Sequence, residues 1–248
     1  YKAAISKTWN EGRGKAGLIY QYSHFRELIE NYGPFIFVGD GSVEEYDGFK
    51  LGIDQYRPAN KILRYLDIET GKMTEQDNDD ANTSKIHNVN FVLDYQWDSG
   101  LKLSVHSKFK HGHTLRANGA MMGVSDALAG SGYTYEDGKE FIGKVRTRRM
   151  LHFDGFEHSW MTNAALTGKS KNQRHSWRAE IDYWLNAGGV STSMYLFAHE
   201  AKKDPKMLLL NGNEGYSYNS YAEYYYGHEH KLFGLASDEW NVSNRLWL

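Results

Sequence analysis

From His87 to His111 the chain reads HNVNFVLDYQWDSGLKLSVHSKFKH. Val89, Phe91, Leu93, Tyr95 and Trp97 take every second position, with Asn88, Asn90, Asp94 and Gln96 between them. Beyond Asp98-Ser99-Gly100 the pattern resumes, with Leu101, Leu103, Val105 and Phe109 alternating with Lys102, Ser104, His106, Lys108 and Lys110. Successive side chains of a strand point to opposite faces, so period two predicts two strands. The Asp-Ser-Gly turn between them predicts a hairpin, with Gly supplying a positive φ. Each arm is about ten residues, long enough for a tilted strand to cross a bilayer and equally suited to a soluble sheet.

The same pattern recurs along the chain. Tyr1 to Trp9 alternates weakly, Asn10–Gly14 turns the chain, and Lys15 to Phe25 alternates again. Arg26 to Ile86 shows no sustained period and is too long for an ordinary connector. It carries turn dipeptides and an acidic run from Glu75 to Asp80, with room for short strands or a helical turn near Phe25 to Glu30. After the central hairpin comes a second long irregular stretch, Gly112 to Gly155. Phe156 to Thr167 predicts a strand, Gly168–Arg174 a turn, and His175 to Asn186 a strand. Ala187 to Gly227 is a third long stretch, although Ser191 to His199 also fits a continued strand. His228 to Trp240 is a further strand, Asn241–Asn244 a turn, and Arg245 to Leu248 the start of another. The count is about eight strands.

Short turns and long connections strictly alternate. In an up-and-down sheet this puts every short turn at one end and every long connection at the other. Outer-membrane barrels sort their loops this way, with short periplasmic turns and long extracellular loops. Trp9, Trp97 and Trp240 all stand beside short turns, where an interfacial aromatic girdle would place them. The expectation is an all-β fold: a segment of an antiparallel up-and-down transmembrane β-barrel, with residues 1–248 part of one barrel domain. Phe91, Leu93, Tyr95, Leu101, Leu103, Val105, Trp177, Ala179, Ile181 and Tyr183 are then expected to face lipid. Asn90, Asp94, Lys102, Ser104, Arg178, Glu180 and Asp182 are expected to face the lumen.

Composition is compatible with this picture. The chain has 248 residues, 40% hydrophobic and 24% charged, which is not a disordered composition. Mean hydropathy is −0.67, and no apolar run approaches the ~18 residues of a transmembrane helix. The formal net charge is −2, so no whole-chain field for nucleic acid or anionic membrane is evident. Cysteine is absent, which removes disulfides and thiolate metal sites. Aromatics reach 15%, with Gly at 25 and Pro at 3, a balance suited to long strands and loops. The sequence starts at Tyr1 without an initiator Met and stops at Leu248 inside an alternating run, so a piece of a longer protein is expected.

Candidate chemistry is sparse. His111 and His113, and His228 and His230, are pairs that share a strand face and could chelate, but no third ligand is named by the sequence. Glu75, Asp77, Asp79 and Asp80 lack the spacing of an EF-hand loop. There is no nucleophile elbow, phosphate-cradling loop or dinucleotide fingerprint, so neither enzyme nor cofactor nor metal is expected. The tyrosines are denser. Tyr216, Tyr218, Tyr221, Tyr224, Tyr225 and Tyr226 could stack on a sugar or flat ligand, or form the outer aromatic girdle; Tyr133, Tyr135 and Phe141 offer the same choice. The candidate ligand-binding residues are Tyr133, Tyr135, Tyr216, Tyr218, Tyr221 and Tyr224.

The segment EHKLFGLASDEWNVSNRLWL (Glu229 to Leu248) resembles a strand–turn–strand unit of TonB-dependent outer-membrane receptors. NVNFVLDYQWDSGLKLSVHSKF is similar to another hairpin of these barrels. SGYTYEDGKEFIGKVRTRR and DPKMLLLNGNEGYSYNSYAEYYYGHEHKL look like loop-to-strand passages of a Bacteroidetes-type branch. The resemblance implies an internal stretch of a barrel of about 22 strands with a plugged lumen. It implies import of an extracellular small-molecule, glycan or peptide solute across the bacterial outer membrane. The implied partners are outer-membrane lipid, a plug domain of the same protein, and an inner-membrane TonB energy-coupling complex. The competing reading of the same residues is a soluble β-sandwich carbohydrate-binding module.

Overall fold

The stretches of period-two alternation lie in strands, and the turns at Asn10–Gly14, Asp98–Gly100 and Gly168–Arg174 each join two of them; at the expected turn Asn241–Asn244, residues Asn241 to Ser243 continue a strand and Asn244 lies outside the described residues. The structure is a computed structural model that describes residues 1–27, 31–32, 35–46, 49–51, 53, 55–56, 62–67, 70–77, 80, 82–213, 216–217, 222–243 and 246–247. In chain order the strands are β1 (Lys2–Trp9), β2 (Gly14–Arg26), β3 (Asn31–Tyr32), β4 (Phe35–Phe37), β5 (Val43–Glu45), β6 (Gln55–Tyr56), β7 (Ile62–Asp67) and β8 (Lys72–Asp77). There follow β9 (Asn82–Gln96), β10 (Lys102–Ala127), β11 (Tyr133–Thr134), β12 (Gly143–Lys169) and β13 (His175–Glu200). The last are β14 (Met207–Leu210), β15 (Tyr216–Ser217), β16 (Glu223–Ser243) and β17 (Leu246–Trp247). The fold is all-β, and every pairing is antiparallel.

The long strands form one meander, β1-β2-β9-β10-β12-β13-β16, with β17 beginning an eighth strand beyond it. Among the described residues β1 and β16 do not pair with each other, so the sheet is open rather than closed into a barrel. Register puts the short turns at one end. Trp9 opposes Gly14, Gln96 opposes Lys102, and Lys169 opposes Ser176. Neighbouring turns touch: Gln96 N–H donates to Arg13 O at 2.9 Å, Asn241 N–H to Arg174 O at 2.7 Å, and Arg13 pairs with Asp98. The β9–β10 turn closes through Gly100, whose φ of 81° only glycine adopts without cost. The long connections all leave from the opposite end.

The strands are much longer than the alternation predicts. β10 runs on past Gly112 to Ala127, β12 starts at Gly143 rather than Phe156, β13 reaches Glu200, and β16 starts at Glu223 rather than His228. The expected irregular stretches Gly112–Gly155 and Ala187–Gly227 therefore shrink to connections over 128–142 and 201–222. Of the short strands or helical turn that the sequence allows between Arg26 and Ile86, the described residues form short strands, β3 to β8, while Phe25 and Arg26 end β2 and residues 28–30 lie outside the described residues.

Directly opposed residues project from the same face of a sheet. On the first face, one row runs Ile5, Leu18, Phe91, Ser107, Thr162, Tyr183, Leu232, and the next runs Ala16, Leu93, Val105, Ala164, Ile181, Gly234. Trp9, Tyr95, Trp177 and Trp240 occupy the same face near the turns. No second sheet covers this band among the described residues, and Ile181 and Leu232 are 59% and 73% exposed. Its hydroxyls are satisfied locally: Ser107 and Thr162 lie 2.8 Å apart, and Trp160 Nε1–H donates to Ser107 at 2.9 Å. Asn90, Asp94, Lys102, Ser104, Arg178, Glu180 and Asp182 lie on the second face, in the expected phase.

At the loop end both faces are covered. The β7–β8 hairpin lays Leu63 and Tyr65 on the first face against Ala117, Met150, Tyr195, Phe197 and Met207. The segment around β11 places Phe141, Tyr133 and Tyr135 on the second face against Ala127, Val145, Ala198 and Leu208. β14 pairs with the end of β13 and sends Met207 into one cluster and Leu208 into the other. This two-sided packing buries Arg146, Arg148, His152 and His199. Burial, followed by the charges of Arg148 and Arg146, pushes the His199 imidazole down to about 3. Burial likewise lowers His152.

Candidate ligand-binding site

The second face is indented where the exposed sheet meets the covered loop end. One cross-strand row there reads Ile86, Gly112, Glu157, Gly188, Gly227, and the next reads Ser84, Thr114, Gly155, Val190, Tyr225. Glycine fills three of five positions in the first row, so on three strands no side chain rises from this level. A strand glycine marks a place where another backbone or a ligand approaches closely. The resulting depression has a volume of about 660 Å³.

Its floor is apolar, from Ile86, Phe153 and Val190, and Tyr225 stands at one side, 58% exposed. Its polar groups are Lys110, Glu157, Thr114 and Arg116. Lys110 Nζ donates to Glu157 Oε2 at 2.6 Å, so the two charged groups that line the depression side by side are paired with each other. A Cβ at Gly112 would touch only Ile86 at 3.9 Å, and one at Gly227 would touch nothing within 4 Å. That space is open to an incoming group. An apolar floor, one tyrosine ring and a rim of hydrogen-bonding groups suit a ligand with a flat apolar face and polar edges.

Of the tyrosines expected to bind ligand, Tyr133, Tyr135 and Tyr224 lie away from this depression. Tyr224 is 52% exposed but opposes Ser191 on the first face, away from the depression. Tyr216 is in β15, where its backbone pairs with Leu196. Tyr218 and Tyr221 lie outside the described residues. Tyr133 and Tyr135 are half-buried at the loop end, Tyr135 packed edge-on to Phe141 at 5.6 Å. The Tyr135 hydroxyl donates to Glu200 at 2.7 Å, and burial followed by this bond pushes it up to about 12. Burial raises the Glu200 carboxyl, but Lys202, the Lys206 N–H and Tyr135 outweigh it and hold it below its ordinary value.

The histidine pairs diverge. His113 Nε2 meets Asp154 at 2.7 Å, whereas His111 meets His158. His230 meets the Tyr183 hydroxyl at 2.9 Å, its ring edge-on to His228. Glu75 pairs with Arg64 and Asp80 with Arg26. Among the described residues no group of three or more His, Asp or Glu side chains is placed to hold a metal ion.

The depression escaped the sequence reading for an identifiable reason. Gly112, Gly155 and Gly227 each interrupt the alternation, and there they mark apparent strand ends. In the folded chain they are the signal itself: one strand after another carries a glycine at nearly the same level. No family model, curated protein or solved structure matches the chain.

Proposed function

We propose that this chain is part of the barrel wall of a TonB-dependent outer-membrane receptor, one that captures an extracellular solute for energised import. The first face meets lipid, and the second faces the lumen and its plug. The observation that carries this reading is the uncovered apolar band on a meander whose short turns all lie at one end. The positions Trp177 and Ala187 bracket the band on β13. Their separation is about 33 Å along a strand, or about 25 Å of height at a typical barrel tilt, which equals the apolar belt of outer-membrane barrels. A soluble sandwich would have to bury Ile181 and Leu232 against a second sheet, and that favours the barrel over a carbohydrate-binding module.

On this reading the loop-end packing stands above the membrane, and the glycine-floored depression faces the lumen just below it. Solute descending from the loops meets Tyr225 and the Lys110–Glu157 pair there. The chain's part is binding and passage, with no covalent step. Fractionation of cells producing the full-length protein tests the reading. Sedimentation with the outer membrane and release only by detergent is expected; recovery in the aqueous fraction contradicts it.

A further inference from the structure

We infer that the glycine-floored depression selects solutes that carry a carboxylate at the edge of a flat apolar ring, with the Arg116 guanidinium holding the carboxylate. This specificity belongs to the solute site proposed above and rests on that reading.

Lys110, Arg116 and Glu157 are the charged groups that line the depression. Lys110 and Glu157 neutralise each other through their 2.6 Å contact. Arg116 is exposed, and among the described residues it has no ion-pair or hydrogen-bonding partner. Its cross-strand row runs from Asn82 on β9 through Phe153 and Thr192 to Glu223 on β16. Glu223 is three strands away, roughly 14 Å at the usual strand spacing. On the other side Glu27, whose N–H donates to Asn82 O, follows β2 two strands away, at roughly 10 Å. The Thr114 hydroxyl beside Arg116 is already engaged, 2.5 Å from Ser84 Oγ. A guanidinium offers a planar fork of N–H donors that meets a carboxylate through two parallel bonds. With Lys110 and Glu157 cancelled, the lining carries a single positive charge, which matches a carboxylate monoanion better than a phosphate dianion.

Phe153, directly opposite Arg116, supplies the flat surface. Its ring leans over Gly155, where a Cβ would stand 2.9 Å from Phe153 Cε1 and 3.1 Å from Val190 Cγ2. The missing side chain lets the Phe153 ring and the Val190 methyl meet in one apolar floor beside the guanidinium. Tyr225 bounds the far side, on β16, three strands from β10. A ligand ring lying on Phe153 presents its edge, not its face, to Arg116. An aromatic carboxylate has that shape: both faces are apolar and the charge lies at the edge, close to the ring plane. At about 660 Å³ the depression holds more than one such ring. The ring and its carboxylate are therefore the recognised end of a larger solute, whose remaining body extends toward Tyr225.

The test uses the full-length protein in lipid nanodiscs, with empty nanodiscs as the reference for partitioning into lipid. Equilibrium dialysis compares 2-naphthoate with 2-naphthamide, which has the same ring and no charge. Naphthoate is expected to bind about tenfold more tightly, the scale of one charge-assisted pair. Arg116→Gln abolishes this preference, and Arg116→Lys, which keeps the charge but not the fork, retains part of it. Where Arg116→Gln fails to assemble, the reduced preference in Arg116→Lys is the deciding measurement. Lys108→Gln, on the same strand and face but outside the depression, leaves the preference as it was. Tyr225→Ala weakens both probes and keeps their ratio. Equal binding of the two probes to the unaltered protein, binding of neither, or a preference that survives Arg116→Gln overturns the inference. A preference lost instead in K110Q/E157Q, with Arg116→Gln unaffected, moves the anion to that pair and also overturns it. Tighter binding of 2-naphthyl phosphate than of naphthoate overturns the carboxylate assignment. Protein that stays in the aqueous phase and enters no nanodisc sinks the receptor reading, and the same dialysis on that protein then decides the inference alone.

Discussion

Trp177 lays its indole across Gly168, the residue directly opposite it on β12, so closely that a Cβ on the glycine would stand 2.6 Å from Trp177 Cζ2. Trp9 covers Gly14 in the same way, and Phe156 covers Gly189, whose Cβ would stand 2.7 Å from the ring. All three pairs lie on the first face. Glycine gives up its own packing so that a large ring can lie flat over the backbone, a device that also fixes register.

The first prediction follows from that contact. Gly168→Ala forces the indole off the strand and destabilises the full-length protein in detergent by about 1–3 kcal/mol, the range for overpacking. Gly234→Ala, on the same face with nothing within 4 Å of its Cβ, stays within about 0.5 kcal/mol. Equal effects in thermal unfolding would remove the covering ring as the cause.

Neighbouring tyrosines separate the two faces. Tyr225→Ala removes a ring from the glycine-floored depression and weakens solute binding about tenfold, equivalent to about 1.4 kcal/mol. Tyr224→Ala changes a ring on the opposite face and leaves affinity as it was. Titration of both variants with the solute that the proposed receptor captures checks this; loss of affinity in Tyr224→Ala alone would move the site elsewhere.

Acid opens the loop end first. His199, 1% exposed, has its pKa pushed down to about 3, so folding expels its proton. Its contribution to stability is complete above about pH 6.5 and drains away as pH falls toward about 3. Glu200 is also depressed, and its contribution too is lost as pH falls through its folded value. Tyr135, raised to about 12, adds a loss only on the alkaline side, as pH rises through that value. Corrected for the pH dependence of intrinsic exchange, amide protection at Val145–Arg148 and Leu196–Glu200 is expected to fall between about pH 6.5 and about pH 4, while protection around Phe91 and Ile181 holds. A uniform fall in protection across the sheet would contradict this assignment.

A charge on the apolar band is costly. Ile181→Arg should cost roughly 2–4 kcal/mol if that position lies near the bilayer midplane, and Asn186→Arg on the other face much less. Folding into vesicles from urea compares the two; a cheap Ile181→Arg would place the band in water.

Much of the fold was legible. In the band, one face is apolar and the other polar, so period two shows directly in Val89 to Trp97 and Trp177 to Leu185. The turns carry their own chemistry in Asn10–Gly14 and Asp98–Gly100. Legibility stops where both faces become covered. Val145 and Arg146 are both buried, as are Phe197, Ala198 and His199, so neighbours on opposite faces no longer differ in polarity. The tyrosines stood out by density, yet Tyr224 and Tyr225 part to opposite faces, and only register tells which one meets the depression. The glycine row is a cross-strand feature, formed by residues far apart in sequence, and a linear pattern does not contain it.

On the barrel reading proposed above, the first face meets lipid and the second does not. This stretch has no cysteine, so single cysteines carrying a nitroxide can be placed at Phe91, Ile181 and Leu232, and at Asn90, Asp182 and Lys231, in the full-length protein in vesicles. The measurement is the relaxation of each label by oxygen, which concentrates in lipid, against that by a water-soluble nickel chelate. Labels at Phe91, Ile181 and Leu232 are expected to respond to oxygen and not to nickel, and labels at Asn90, Asp182 and Lys231 to show no oxygen-rich environment. Nickel access at Phe91, Ile181 and Leu232, or shielding of all three from both reagents, would contradict that reading.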